Sequence, residues 1–186
     1  MTHAGLILAA GAGTRFGGTK QLAPLRGRPL LEHAVQAMLG AELDRVVVVL
    51  GHEAELIRSR VAFGAAEIVV ASECATGQAA SLRAGVRTLL GADAVAITLG
   101  DQPFITSAVI EESLRQLDGY DAVRAMYDGA PGHPVVFGRP VIEAVGSIEG
   151  DVGARDLLSR FNVNRWEASS LASAVDVDTV EELEAL

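Results

Sequence analysis

Cysteine, lysine, aromatic residues and long apolar runs are all scarce in this chain of 186 residues, and each scarcity excludes something. Cys74 is the single cysteine, so no disulfide closes within the chain and a reducing compartment is allowed. No histidine stands within a few residues of Cys74, so a thiol nucleophile would lack a local base and a structural role is the plainer reading. Aromatics make up 4% of the chain, which leaves Val, Leu, Ile and Ala to build the core, a composition suited to an aliphatic sheet packed on helices. Lys and Arg together number 15 against 24 Asp and Glu, for a net charge of −9. That balance argues against a nucleic-acid partner, which asks for a basic face. The first apolar run, Leu6 to Ala10, stops at Gly11, and Met1-Thr2-His3-Ala4 before it carries no basic region. Neither a signal peptide nor a membrane span is expected, and the cytoplasm is the expected location.

What is present is organised. Short apolar runs alternate with segments of helical period. Strands are expected over Gly5–Ala10, Arg45–Leu50, Glu67–Ala71 and Ala94–Leu99, and helices over Arg28–Leu39, Glu53–Val61, Gly77–Leu90 and Thr106–Leu117. Asp121–Tyr127 and His133–Phe137 read as two strands joined by a loop, Asp128–Gly132. Short helices follow around Arg139–Val145 and Asp151–Arg160, then strands at Asn162–Trp166 and Ala174–Asp176, and a closing helix over Thr179–Leu186. This alternation implies an α/β fold: a single doubly wound, mostly parallel sheet with helices on both faces. One domain over residues 1–186 is expected. In such sheets ligands bind beyond the carboxyl ends of the strands.

Three places carry chemistry. Lys20, the one lysine, ends the glycine-rich loop Gly11-Ala12-Gly13-Thr14-Arg15-Phe16-Gly17-Gly18-Thr19-Lys20 directly after the first strand. Close-set glycines let backbone N–H groups approach phosphate oxygens, and Arg15 and Lys20 can neutralise them. The loop is not a Walker A motif, since Thr19 separates Gly18 from Lys20 and Gln21 follows. Nor is it a dinucleotide fingerprint, since Gly17 falls one residue too late after Gly13. The second place is Gly100-Asp101-Gln102-Pro103, where Asp101 ends a buried strand; it is either a helix cap or a ligand for a hard cation such as Mg²⁺. The third is Asp176-Val177-Asp178-Thr179. Alternation puts Asp176 and Asp178 on one side of an extended segment, while Asp178 or Thr179 equally reads as a helix cap.

Taken together, Leu8-Ala9-Ala10-Gly11-x-Gly13-x-Arg15-x-Gly17 with Lys20 resembles the signature of nucleotidyltransferases. Phe16-Gly17-Gly18-Thr19-Lys20-Gln21-Leu22, Gly100-Asp101-Gln102-Pro103, Gly132-His133-Pro134-Val135, Gly150-Asp151-x-Gly153-Ala154-Arg155 and the terminal Asp176-Val177-Asp178-Thr179 resemble the molybdenum-cofactor cytidylyltransferase branch of the MobA-like NTP transferases. The resemblance implies a nucleotidyltransferase fold with a nucleotide-binding half, about 1–105, and an acceptor-binding half, about 106–186. It implies transfer of CMP from CTP to a phosphorylated acceptor, molybdopterin foremost, with pyrophosphate released.

The same resemblance implies roles for matching positions. Ala9, Ala10 and Gly11 lie beside the base, Gly13 and Arg15 at the phosphates, and Lys20 near the α-phosphate, with Leu8 also in the nucleotide-binding set. Gln78 and Ser81 lie near base and ribose. Asp101 holds Mg²⁺ with Asp176 or Asp178, so Arg15, Lys20 and Asp101 form the catalytic set. Ala10, where guanylyl-transferring relatives carry a second glycine, favours CTP over GTP. His133 contacts the acceptor or starts a strand, and Asp151 and Arg155 face the acceptor or pair on one helix. Guanylyl transfer to another phosphorylated acceptor is the nearest alternative. A nucleotide-binding accessory protein without turnover and a dinucleotide-dependent oxidoreductase are the others. No membrane partner is implied; a transient contact with a molybdoenzyme or its chaperone is.

Overall fold

The computed structural model describes residues 1–11, 13, 16–71, 78–147 and 157–185, with the side chains of residues 78, 146 and 147 excepted. The chain opens with β1 (His3–Ala9), then β2 (Pro24–Leu25), β3 (Arg28–Pro29) and α1 (Leu30–Leu39). There follow β4 (Arg45–Leu50), α2 (Ala54–Arg60), β5 (Glu67–Val70), α3 (Gln78–Arg87), β6 (Ala94–Leu99) and α4 (Ser107–Arg115). The second part holds β7 (Ala122–Tyr127), β8 (Ala130–Gly138), α5 (Arg139–Ser147), β9 (Val163–Glu167) and, last, α6 (Val180–Glu184).

The main sheet has seven strands in the order β5-β4-β1-β6-β8-β7-β9. Every pairing is parallel except those of β8, which runs against both β6 and β7. The mostly parallel α/β sheet expected from the sequence is what forms. Inner strands must bury both faces, and β4 shows it: Val46 through Leu50 are all buried, with Arg45 alone outside. Leu31, Ala34, Ile57, Val109 and Ile110 from α1, α2 and α4 fill one face of the sheet. Leu82, Val86, Val141, Ile142 and Val145 from α3 and α5 fill the other. Helix α3 approaches β1 and β4 so closely that a Cβ at Gly85 would collide with Leu6 and come within 2.9 Å of Val49 Cγ2. Among the described residues no helix is long and apolar enough to cross a membrane.

Three expectations need correction. The helix expected from Arg28 begins at Leu30, because Arg28 and Pro29 instead pair with Leu25 and Pro24. The turn between them uses left-handed backbone at Arg26 (φ 50°) and Gly27 (φ 81°), the geometry of a two-residue hairpin. The loop expected over Asp128–Gly132 is likewise a tight turn at Asp128 (φ 50°) and Gly129 (φ 78°), so β8 starts at Ala130 and takes in Pro131 and Gly132. Proline signals misled there because Pro131 pairs only with Met126 on one side. Ala174–Asp176 belongs to no strand; the Val177 N–H donates to the Asp101 carbonyl at 3.1 Å instead. Most of the helix expected over Asp151–Arg160 lies outside the described residues.

Candidate functional site

The strand order brings the pieces together. From β1 the chain steps outward through β4 to β5, then returns through α3 to β6 on the other side of β1. The direction of winding around the sheet reverses between β1 and β6, and in open α/β sheets ligands bind beyond the carboxyl ends of the strands at such a point. Leu8 on β1 is in register with Leu99 on β6, so the glycine loop and Asp101 leave neighbouring strands side by side.

Lys20 lies in a 3-10 turn, Lys20–Leu22, and is 8% exposed. Its Nζ donates to Asp101 Oδ2 at 2.8 Å and to Asp178 Oδ1 at 2.7 Å. A buried ammonium without partners would shed its proton. Here burial pulls the Lys20 pKa down, but the hydrogen bonds and negative charges of Asp101 and Asp178 outweigh it and hold the pKa above its ordinary value. The group is therefore a fixed positive charge between two carboxylates at neutral pH.

For each carboxylate, another residue caps the helix nearby. Thr106 caps α4, its hydroxyl accepting from the Val109 N–H at 3.4 Å, which leaves Asp101 out of helix capping. Thr179 caps α6 through a reciprocal pair with Glu182, at 3.2 Å and 3.0 Å, which leaves the Asp178 carboxylate for Lys20. Val177 between the two aspartates is fully buried in a small cluster with Ala23, Leu25 and Leu30, and Phe16 and Leu183 pack against it. Anchored there, the segment turns Asp178 to Lys20 and Asp176 to Gln102, whose Nε2 donates to Asp176 Oδ1 at 2.7 Å. Burial pushes the Asp176 carboxyl up, the charges of Asp101 and Asp178 add to this, and the Gln102 bond and Lys20 oppose it.

The donor chemistry fits a hard divalent cation. Asp101 and Asp178 already bracket one positive charge. Asp101 Oδ1 is buried with no hydrogen-bond partner among the described residues, as is Gln102 Oε1. Mg²⁺ is commonly held by one or two carboxylates, with phosphate oxygens and water completing six. In keeping with that, no group of three or more His, Cys, Asp or Glu among the described residues is arranged to hold a metal by itself.

The other expected residues fall as follows. Ala9 and Ala10 are buried at the end of β1, with Gly11 exposed just beyond. Gly13 has φ 58°, and a Cβ there would stand 3.0 Å from the Gly18 carbonyl and 3.1 Å from Lys20 Cβ, so the loop turns where glycine alone fits. Ser81 is buried on α3. Arg15, the Gln78 side chain, Cys74, Gly77, Asp151 and Arg155 lie outside the described residues.

Sequence reasoning gave no role to three residues here. Gln21 Nε2 donates to the carbonyls of Ala9 at 3.0 Å and Gly11 at 2.8 Å. Thr19 Oγ1 donates to Glu53 Oε2, and Glu53 itself holds left-handed backbone (φ 54°) ahead of α2. Gln102 orders Asp176. None follows a periodic pattern, so adjacency to Lys20 or Asp101 was the one signal available.

His133 lies in β8, and its carbonyl accepts from Tyr127 Oη at 2.6 Å. Burial and then the Arg124 charge push its pKa down to about 4 from 6.5. Above pH 6.5 the ring is neutral folded or unfolded and costs nothing. Between 6.5 and about 4 the unfolded chain gains a proton that the folded chain refuses, so stability falls with pH through that window and levels off below it. His133→Gln is therefore expected to lose less stability than the wild type between pH 7 and 4.5, by about 2–3 kcal/mol in denaturant titrations. Equal slopes for the two would contradict it.

Comparison with known proteins gives the chain a family and close relatives in fold. Residues 5–166 match the model of the MobA-like NTP transferase domain. Nicotine blue oxidoreductase of Paenarthrobacter nicotinovorans is 33% identical over 190 residues, covering 96% of this chain and 93% of that protein. The crystal structure of Rv0371c from Mycobacterium tuberculosis H37Rv is similar at TM-score 0.89 and 28% identity, covering 100% of this chain and 96% of the other. The complex of Rv0371c with manganese is similar at TM-score 0.80 and 26% identity, covering 100% and 98%.

Proposed function

Because this chain belongs to the MobA-like NTP transferase domain family, we propose that it transfers CMP from CTP to a phosphorylated acceptor, molybdopterin foremost, and releases pyrophosphate. One observation carries the reading: the lone lysine's ammonium stands 2.8 Å and 2.7 Å from two carboxylates at the switch point of the sheet. A triphosphate needs a mobile cation and a metal-holding carboxylate within reach of one another, and Lys20 with Asp101 provides both. The likeness to Rv0371c in complex with manganese supports a divalent ion here, with Asp101 and Asp178 to hold it.

In the reaction an oxygen of the acceptor's phosphate attacks the α-phosphorus of the nucleotide. A new P–O bond forms, the bond to the β-phosphate oxygen breaks, and pyrophosphate leaves with the electron pair. A phosphate monoester is ionised at neutral pH, so no side-chain base is required. The protein's part is positioning and charge stabilisation. Backbone N–H groups of the glycine loop cradle the phosphates, and the Lys20 ammonium moves from its carboxylates to the α-phosphate. A bound divalent cation would add Lewis-acid neutralisation of the same phosphate. Arg15 joins Lys20 at the phosphates by the resemblance already described. Residues from about 106 onward would receive the acceptor, and a molybdoenzyme or its chaperone would take the product.

Pyrophosphate release with CTP, GTP, ATP and UTP, against molybdenum-loaded and metal-free molybdopterin, tests the reading. Release with CTP and either pterin supports it. Release with GTP, or with another phosphorylated acceptor, moves the assignment within the family. Nucleotide binding without release points to an accessory protein. A second reading, an oxidoreductase, is favoured by the 33% identity to a full-length relative bearing that name. The spacing of Gly13 and Gly17 speaks against a dinucleotide fingerprint, and consumption of a reduced nicotinamide with no pyrophosphate release would decide for this reading.

A further inference from the structure

We infer that Gln21 is the positioning residue that fixes the backbone polarity of the nucleotide loop. The inference rests on the nucleotide reading of that loop and adds to it a residue outside the catalytic set. Gln21 is 8% exposed, and its amide nitrogen donates to two carbonyls, Ala9 at 3.0 Å and Gly11 at 2.8 Å. A carboxamide nitrogen has two N–H groups, so its donor capacity is fully used on these two acceptors. Both carbonyls lie where the β1 ladder runs out: Ala9 is the last residue of β1 paired with β4, and Leu8 the last paired with β6. Beyond that point nothing in the sheet dictates which way a peptide unit faces.

That choice matters for an anion. A trans peptide carries its C=O and N–H on opposite edges. Drawing the Ala9 carbonyl toward Gln21 turns the Ala10 N–H of the same peptide unit the other way, and the Gly11 carbonyl is held toward Gln21 as well. A peptide turned over would instead offer a phosphate a negative dipole end, and a Gly-rich stretch turns over easily. The second consequence is spacing. Gln21 follows Lys20 in one 3-10 turn, so the same turn sets the loop's polarity and carries the ammonium that reaches Asp101 and Asp178. Gln21 thereby couples loop conformation to the placement of the cation, without touching substrate itself.

The test uses the full chain and two substitutions. Gln21→Leu keeps approximate size and removes both donors. Gln21→Glu keeps shape but sets a carboxylate against two carbonyls until it takes a proton, which restores one donor; burial raises the pH at which that happens. Affinities for CTP, GTP, ATP and UTP with Mg²⁺ are measured from pH 8 to 5.5 as ratios to the wild type. Neighbouring charged groups (Lys20 with Asp101 and Asp178, Glu53 ahead of α2, Glu32 and His33 on α1) are common to all three proteins and cancel in the ratio. At pH 8 both variants should bind the preferred nucleotide at least about tenfold more weakly, the worth of one or two buried hydrogen bonds. The Gln21→Glu deficit should then shrink several-fold toward pH 5.5, while the Gln21→Leu deficit stays constant. Thermal unfolding of each variant, run alongside, separates a folding defect, which would depress both variants at every pH. Wild-type-like binding by Gln21→Leu, or a pH-independent deficit in Gln21→Glu, overturns the inference while leaving the nucleotide reading standing. A wild type that binds none of the four nucleotides removes both.

Discussion

Replacing Lys20 by methionine is expected to abolish nucleotidyl transfer and, in the same protein, to tighten binding of Mn²⁺ measured without nucleotide. The two effects have one cause. The ammonium sits against Asp101 Oδ2 and Asp178 Oδ1, the oxygens that a divalent ion would take. A hard cation approaches such oxygens to about 2.1 Å, closer than any ammonium, so the two cannot share them. In the wild type, metal binding must first displace the built-in cation; in Lys20→Met it need not. Methionine fills the lysine stem's space, and the two carboxylates left behind are 29% and 39% exposed, so water can solvate them. Turnover should fall roughly 10²–10³-fold, the loss typical of one charge-stabilising group. Metal affinity should rise about tenfold, equivalent to about 1.4 kcal/mol. Isothermal titration with Mn²⁺ and a pyrophosphate assay on one preparation check both. Weaker metal binding in the variant would mean that lysine and metal do not compete.

Asp101→Asn should be the most damaging single change in the carboxylate set. It removes the charge while keeping the side chain's shape, and the Asp101 backbone carbonyl still accepts from Val177 at 3.1 Å. Lys20 keeps Asp178 at 2.7 Å, so the fold should stand. Pyrophosphate release should drop by roughly 10³-fold, as both metal retention and lysine placement suffer. Asp178→Asn should cost more than Asp176→Asn, since Asp178 touches Lys20 whereas Asp176 reaches the site through Gln102. The reverse order would move the metal toward Asp176. Near-normal release by Asp101→Asn would remove Asp101 from the chemistry.

Much of the fold was legible because the signals are local. Strands β1, β4 and β6 are buried on both faces and so read as unbroken apolar runs, which periodicity finds without knowing their neighbours. Thr106 announced the start of α4 by its own chemistry. The failures were local too: Arg26-Gly27 and Asp128-Gly129 each turn the chain in two residues through left-handed backbone, while Pro29 read as part of a helix and Pro131 as loop. A hairpin is decided by whether a partner strand arrives, which the turn residues alone do not reveal.

By itself the amino-acid sequence determined which chemical groups the protein owns, a lone ammonium beside glycines and three aspartates at segment ends, and that these belong on an alternating α/β frame. Tertiary structure decided who meets whom. Lys20 is 81 residues from Asp101 and 158 from Asp178, and Gln21 answers carbonyls twelve and ten positions back. Propensity and period act over a few residues, whereas contacts at these separations exist because β1 and β6 adjoin and Val177 is buried against Ala23, Leu25 and Leu30. Order of strands and burial of one valine, neither readable from local pattern, turn scattered groups into a site.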